Sequence, residues 1–162
     1  VQDRDEPPDG RPEPLSGPSG AGLPIAKHRE EILAALESQR VIVLMGGTGC
    51  GKSTQLPQYI LDDCAARGQT ASVMVTQPRR MAAVTLARRI ARERGEAEGT
   101  EVGWRIRGDV KPGRQLTFAT AGYLLSWFTV DPSVFGSLTH IILDEAHERT
   151  ADMDLLILVV RT

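Results

Sequence analysis

From Leu23 onward the apolar positions switch between two periods. Ile25, Ile32, Leu33 and Leu36 recur at helical spacing and predict a helix over 25–38. Val41-Ile42-Val43-Leu44-Met45 is an unbroken apolar run and predicts a buried strand. Residues 53–67 read as a helix and 71–76 as a second strand. Within 79–94, Ala83, Leu86, Ala87 and Ile90 line one helical face. Residues 102–107 and 115–120 predict short strands, with Lys111-Pro112-Gly113 as a turn between them. A short helix at 122–128, a buried strand at 139–144 and a strongly apolar helix at 152–161 complete the series. Apolar strands alternating with helices predict an α/β fold on a mostly parallel sheet.

Composition refines this at one end. Residues 1–22 are rich in Pro, Gly, Ser and acids, cannot bury a core, and are expected to be a disordered segment or linker. They hold Asp3, Asp5, Glu6, Asp9 and Glu13 against Arg4 and Arg11, net −3. The formal charge of the chain is −2, so the rest carries +1. That balance neither supports nor excludes a nucleic-acid partner. The 162 residues, 41% of them apolar, suffice for one domain. No apolar stretch approaches 18 residues, so nothing suggests a membrane partner or secretion. Cys50 and Cys64 make no disulfide framework, and a reducing setting, nuclear or cytoplasmic, is expected.

The first chemical centre follows the apolar run. Residues 46–54 read Gly-Gly-Thr-Gly-Cys-Gly-Lys-Ser-Thr, the pattern G-x-x-x-x-G-K-[ST]. Glycines let the backbone wrap an anion with its N–H groups turned inward. The next helix adds the positive end of its dipole. Gly46, Gly47, Thr48, Gly49, Cys50, Gly51, Lys52, Ser53 and Thr54 are therefore candidate ligands of a nucleoside triphosphate. Lys52 would supply the charge for the β- and γ-phosphates, and the Ser53 hydroxyl a ligand for Mg²⁺.

The second centre is Asp144-Glu145, delivered by the apolar run Ile141-Ile142-Leu143. Open α/β sheets bind ligands at the C-terminal ends of their strands. Asp144 is placed to hold the Mg²⁺ shell, and Glu145 to orient or deprotonate an attacking water.

Four stretches now resemble one family in order. Asp144-Glu145-Ala146-His147, continued by Glu148-Arg149, resembles motif II of the DEAH-box helicases of superfamily 2. Residues 46–59 resemble motif I and its extension, 76–83 motif Ia, and Thr120-Ala121-Gly122-Tyr123-Leu124-Leu125 motif Ib. The resemblance runs from Leu23 to the end. It differs from the usual pattern at Gly47, often Glu, at Ser53, often Thr, and at Ala121, usually acidic.

The resemblance implies that residues 23–162 form a helicase ATP-binding domain, the first of two RecA-like P-loop NTPase domains. ATP and Mg²⁺ are the implied cofactors, with Ser53, Asp144 and Glu145 around the metal. Lys52, Asp144, Glu145 and His147 would be the catalytic set, with His147 coupling the nucleotide to the rest of the machine. Thr76, Arg79, Arg80 and Thr120 would touch the backbone of single-stranded RNA. Arg89 falls where the family stacks an arginine on the nucleotide base. An activating protein is a further implied partner. Taken alone, Arg79 and Arg80 could instead open a solvated helix face, and Arg89 could be a surface residue. His28, His140, Trp104 and Trp127 read as structural.

The family's motif III strand, which lies between the phosphate-loop strand and the motif II strand, is not among these residues. Neither is the second RecA-like domain. The expectation is a fragment truncated after motif II, incomplete at its C-terminal end, with unpaired backbone at the centre of its sheet. The implied activity is an ATP-dependent RNA helicase in the full-length protein, with this fragment alone expected to be inactive. The alternatives are a DNA-acting NTPase of the same superfamily, or a nucleotide- or RNA-binding module without turnover.

Overall fold

The computed structural model describes Gly20 and residues 22–161. The expectation for 1–22 therefore lies almost wholly outside the described residues. A 3-10 turn at Pro24–His28 leads into helix α1, Arg29–Ser38. Then follow α2 Lys52–Ala66, β1 Val73–Gln77, α3 Arg80–Glu93, β2 Val102–Ile106, β3 Asp109–Lys111 and β4 Leu116–Thr120. The chain continues with α4 Ala121–Val130, α5 Val134–Ser137, β5 His140–Leu143 and α6 Ala151–Arg161.

The five strands form one sheet in the order β3-β2-β4-β1-β5. β1 pairs in parallel with both β4 and β5, and β2 in parallel with β4; only β3 runs antiparallel. The α/β fold with a mostly parallel sheet is thus present. Along β1 the side chains alternate between layers. Val73 and Val75 enter the core shared with α1, α2 and α3, with Ile32, Ile60 and Ile90. Met74 enters the other core, with Leu124, Phe128, Met153 and Leu156 from α4 and α6. Burial on both faces explains why Val73, Met74 and Val75 are apolar without alternation.

Two expectations are corrected. Residues 41–45 are not a buried strand: Val41, Val43 and Met45 are 76%, 84% and 89% exposed, and the segment belongs to no ladder. Ile42 and Leu44 still pack onto the core beside Ile142. The apolar alternation anchors one face, but a strand also needs neighbours for its N–H and C=O groups. The resemblance puts one strand between this run and the motif II strand. Among the described residues none occupies that place, and β5 is an edge of the sheet.

The second correction concerns 102–120. The chain turns back at Gly108, whose φ is +86°, to make β3 against β2. Lys111 thus ends a strand, and 112–115 carry the chain across to β4, which lies parallel to β2. Gly103 on β2 permits that crossing. A Cβ there would meet Gly113 N at 2.6 Å and the Lys111 carbonyl oxygen closer still, both backbone. Gly103→Ala therefore destabilises the domain by about 1–3 kcal/mol, as overpacking does. Denaturant titration measures the loss, and a midpoint equal to wild type would contradict it.

On α6, Leu155 and Leu158 are 54% and 60% exposed. Among the described residues no helix is long and apolar enough to cross a membrane.

Candidate functional site

The loop before α2 is shaped by glycine. Gly49 and Gly51 have φ of +78° and +100°, a region that L side chains rarely adopt. Gly51 is also the N-cap of α2, and a Cβ on it would meet Leu23 and Ile25 within about 3 Å. Ile25 N–H donates to the Cys50 carbonyl at 3.1 Å, so the segment ahead of α1 braces the loop. Lys52 lies at its centre, donating from Nζ to the carbonyls of Gly46 at 2.6 Å and Gly47 at 3.0 Å. The Cys50 thiol is 3.5 Å from the same nitrogen.

Ser53 and Thr54 occupy the first turn of α2. Thr54 Oγ1 donates to the Gly51 carbonyl at 3.3 Å. Pro57 inside the helix has no N–H to give the Ser53 carbonyl. Gln58, buried, donates from Nε2 to the Thr54 carbonyl and to Glu93 Oε2, both at 2.9 Å. Glu93 also accepts from Arg89 Nε at 2.9 Å. Arg89 is thereby tied through Glu93 and Gln58 to the loop helix, although its own side chain is 57% exposed.

The two carboxylates stand at the C-terminal end of β5. Asp144 is 9% exposed, and both of its oxygens are engaged. Oδ2 accepts from Gln77 Nε2 at 2.6 Å, and Oδ1 from the Glu145 backbone N–H at 3.0 Å. Glu145 has φ of +52°, the only positive φ outside glycine among the described residues. A conformation of that kind costs about 1–3 kcal/mol and persists only where its surroundings hold it. Here Glu148 N–H donates to the Glu145 carbonyl at 2.8 Å. Asp154 grips Arg149 with two hydrogen bonds, 2.7 and 3.0 Å, pinning the turn to α6. That fork holds Asp154 below the usual carboxylate range and Arg149 above its ordinary value. His147 is exposed, with Nε2 3.4 Å from Glu145 Oε2.

The candidate polynucleotide residues share the same edge. In the β1–β4 register Gln77 stands opposite Thr120, and Asp144 follows β5 on the other side. Thr120 is the N-cap of α4, Arg79 the N-cap of α3, and Arg80 the first residue of α3. Arg79 is 79% exposed, 3.8 Å from Glu148. Arg80 donates from Nη2 to the Arg107 carbonyl near the tip of the β2–β3 hairpin. Thr76 departs from expectation. It is 0% exposed, with its hydroxyl 3.4 Å from the Ile142 carbonyl, so it ties β1 to β5 and presents nothing to a ligand. The reason is that β1 is buried on both faces, so either orientation of this position lies inside.

Gln77, Gln58 and Glu93 were not singled out by sequence reasoning. The only signal was a polar residue ending a buried strand at Gln77. Of the residues read as structural, Trp104 is buried, with Arg88 5.2 Å from its ring. Trp127 is partly buried beneath Arg105. Burial pushes the His140 imidazole below its usual range. His28 is exposed and contacts Glu31 at 3.0 Å.

Among the described residues no group of three or more His, Cys, Asp or Glu could cage a metal. A hydroxyl and one carboxylate do suit Mg²⁺, which keeps waters and shares phosphate oxygens.

Comparison with known proteins shows the family. The DEAD/DEAH box helicase family profile matches residues 26–156. The chain is 45% identical over 141 residues to RNA editing associated helicase 2 of Trypanosoma brucei brucei, covering 86% of this chain and 6% of that protein. It is 46% identical over 143 residues to DExH-box ATP-dependent RNA helicase DExH3 of Arabidopsis thaliana, covering 86% and 12%. It is 44% identical over 141 residues to ATP-dependent RNA helicase TDRD9 of Homo sapiens, covering 86% and 10%. The chain spans about a tenth of the length of these curated relatives. On the match across most of its length, the chain belongs to the DEAD/DEAH box helicase family.

Proposed function

We propose that this domain binds Mg·ATP, and that the protein it serves couples ATP hydrolysis to movement along or opening of RNA. The observation that carries the reading is the Lys52 ammonium at the centre of a glycine loop, held by two of the loop's own carbonyls. Exchanging those carbonyls for phosphate oxygens needs little movement of the side chain. The N-terminus of α2 adds its partial positive charge.

Ser53 and Asp144 would hold Mg²⁺, with Glu145 close to its shell. When bound, the metal neutralises charge on the β- and γ-phosphates. Glu145 would orient the attacking water and accept its proton. His147, in contact with Glu145, joins that carboxylate to the exposed 147–149 turn. Arg89 would lie against the nucleotide base. The printed names of the relatives point to RNA, and Arg79, Arg80 and Thr120 at one edge supply contacts suited to a phosphate backbone. An activating protein partner and a nuclear or cytoplasmic setting belong to the same proposal; both described cysteines are free, as in a reducing compartment.

Backbone contact by the arginines has a direct test. Arg79→Ala and Arg80→Ala each weaken binding of labelled single-stranded RNA to a similar degree for every base composition. Each also lowers the slope of log affinity against log salt by about 0.7, the single-strand value for one phosphate contact. Fluorescence anisotropy across a salt series measures both. Unchanged slopes would remove these arginines from the interface.

A further inference from the structure

Three residues at the C-terminal ends of neighbouring strands form a row: Thr120 on β4, Gln77 on β1 and Asp144 just after β5. The middle one has no role in the function described so far. Gln77 is 3% exposed and ends β1. Its amide lies 2.6 Å from Asp144 Oδ2. A carboxylate only accepts hydrogen bonds, so the amide nitrogen must face it. With the Glu145 N–H on Oδ1, the two donors fix the rotation of the Asp144 carboxylate. Gln77 is also covalently followed by Pro78, Arg79 and Arg80, the candidate polynucleotide segment. Arg79 reaches the same motif II turn from outside, at Glu148.

We propose that Gln77 is a positioning residue: it orients the metal-binding carboxylate of Asp144 and transmits RNA engagement at Arg79 and Arg80 to it. The inference rests on the Mg·ATP reading above. It acts through Asp144, so its signature lies in the metal requirement and not in affinity for the nucleotide itself. Orienting partners of metal ligands typically change metal affinity about 10-fold to 100-fold when removed. Linkage is reciprocal, so RNA that tightens metal binding must itself bind more tightly when the metal is present.

The test uses Gln77→Met and Gln77→Leu, which keep the volume and remove the donor. A fluorescent ATP analogue reports nucleotide binding while Mg²⁺ is titrated, with and without single-stranded RNA. The expected result is an affinity for Mg²⁺ about tenfold weaker and no longer raised by RNA, at unchanged Mg²⁺-free nucleotide affinity. Unaltered metal dependence in both variants would overturn the role of Gln77. Wild-type protein that binds no nucleotide would instead overturn the Mg·ATP reading itself. Should neither variant fold, the unaltered protein still decides. The side-chain amide resonance of ¹⁵N-labelled Gln77 shifts when Mg²⁺ joins the nucleotide complex, and shifts again with RNA. A resonance indifferent to both would refute the proposal.

Discussion

Lys52→Ala abolishes measurable nucleotide binding under conditions where the wild-type protein saturates. The expected loss is at least about 100-fold in Kd. Each hydrogen bond to a charged group contributes about 1.5–3 kcal/mol, and the ammonium reaches two acceptors at once. Its present acceptors are the Gly46 and Gly47 carbonyls, at 2.6 and 3.0 Å. Alanine removes the charge that phosphate requires and also the clasp that closes the loop. The loop's N–H groups and the α2 N-terminus remain, so residual weak binding is compatible with the account. Titration of a fluorescent ATP analogue with Mg²⁺ measures the effect, with a melting curve to confirm folding. Affinity within about threefold of wild type would mean that Lys52 serves the loop's shape alone.

Glu145→Gln separates binding from chemistry. Glutamine has nearly the same shape and accepts the same positive φ, so the turn from Asp144 to Arg149 keeps its hydrogen bonds. It cannot take a proton. Loss of a positioned general base typically costs about 100-fold to 10,000-fold in turnover. Single-turnover hydrolysis should fall by that factor while nucleotide affinity stays within about twofold. The contact with His147, 3.4 Å from the Glu145 carboxylate, survives only as a neutral hydrogen bond. Turnover unchanged by Glu145→Gln would move the base elsewhere in the site.

The chemistry was more legible in the sequence than the pairing of the sheet, for a physical reason. The candidate phosphate loop is nine consecutive residues, so its whole pattern is local in sequence. Of its two positive-φ glycines, Gly51 sits where the pattern demands glycine and Gly49 at one of its open positions. Asp144 and Glu145 were equally readable, because an apolar strand ending in acids marks the ligand edge of a parallel sheet. What crosses between distant segments was not readable. The Gln77–Asp144 hydrogen bond spans 67 positions in sequence, and no local pattern announces it. β3 escaped notice because Asp109-Val110-Lys111 is short and exposed throughout. Residues 41–45 show the opposite failure. Their apolar pattern places Ile42 and Leu44 on the core, but a strand also depends on a neighbour that a period of two cannot reveal. Thr76 fell to burial of β1 on both faces: exposure begins only at Arg79 and Arg80, three and four positions later.

The central proposal is that ATP turnover by the full-length protein answers to RNA. The measurement is steady-state ATP hydrolysis by the full-length protein with no polynucleotide, with single-stranded RNA and with single-stranded DNA of the same sequence, with Lys52→Ala alongside. The account predicts a low basal rate, severalfold stimulation by RNA above that by DNA, and no hydrolysis in the variant. Stimulation by DNA alone, or hydrolysis that survives in Lys52→Ala, would contradict it.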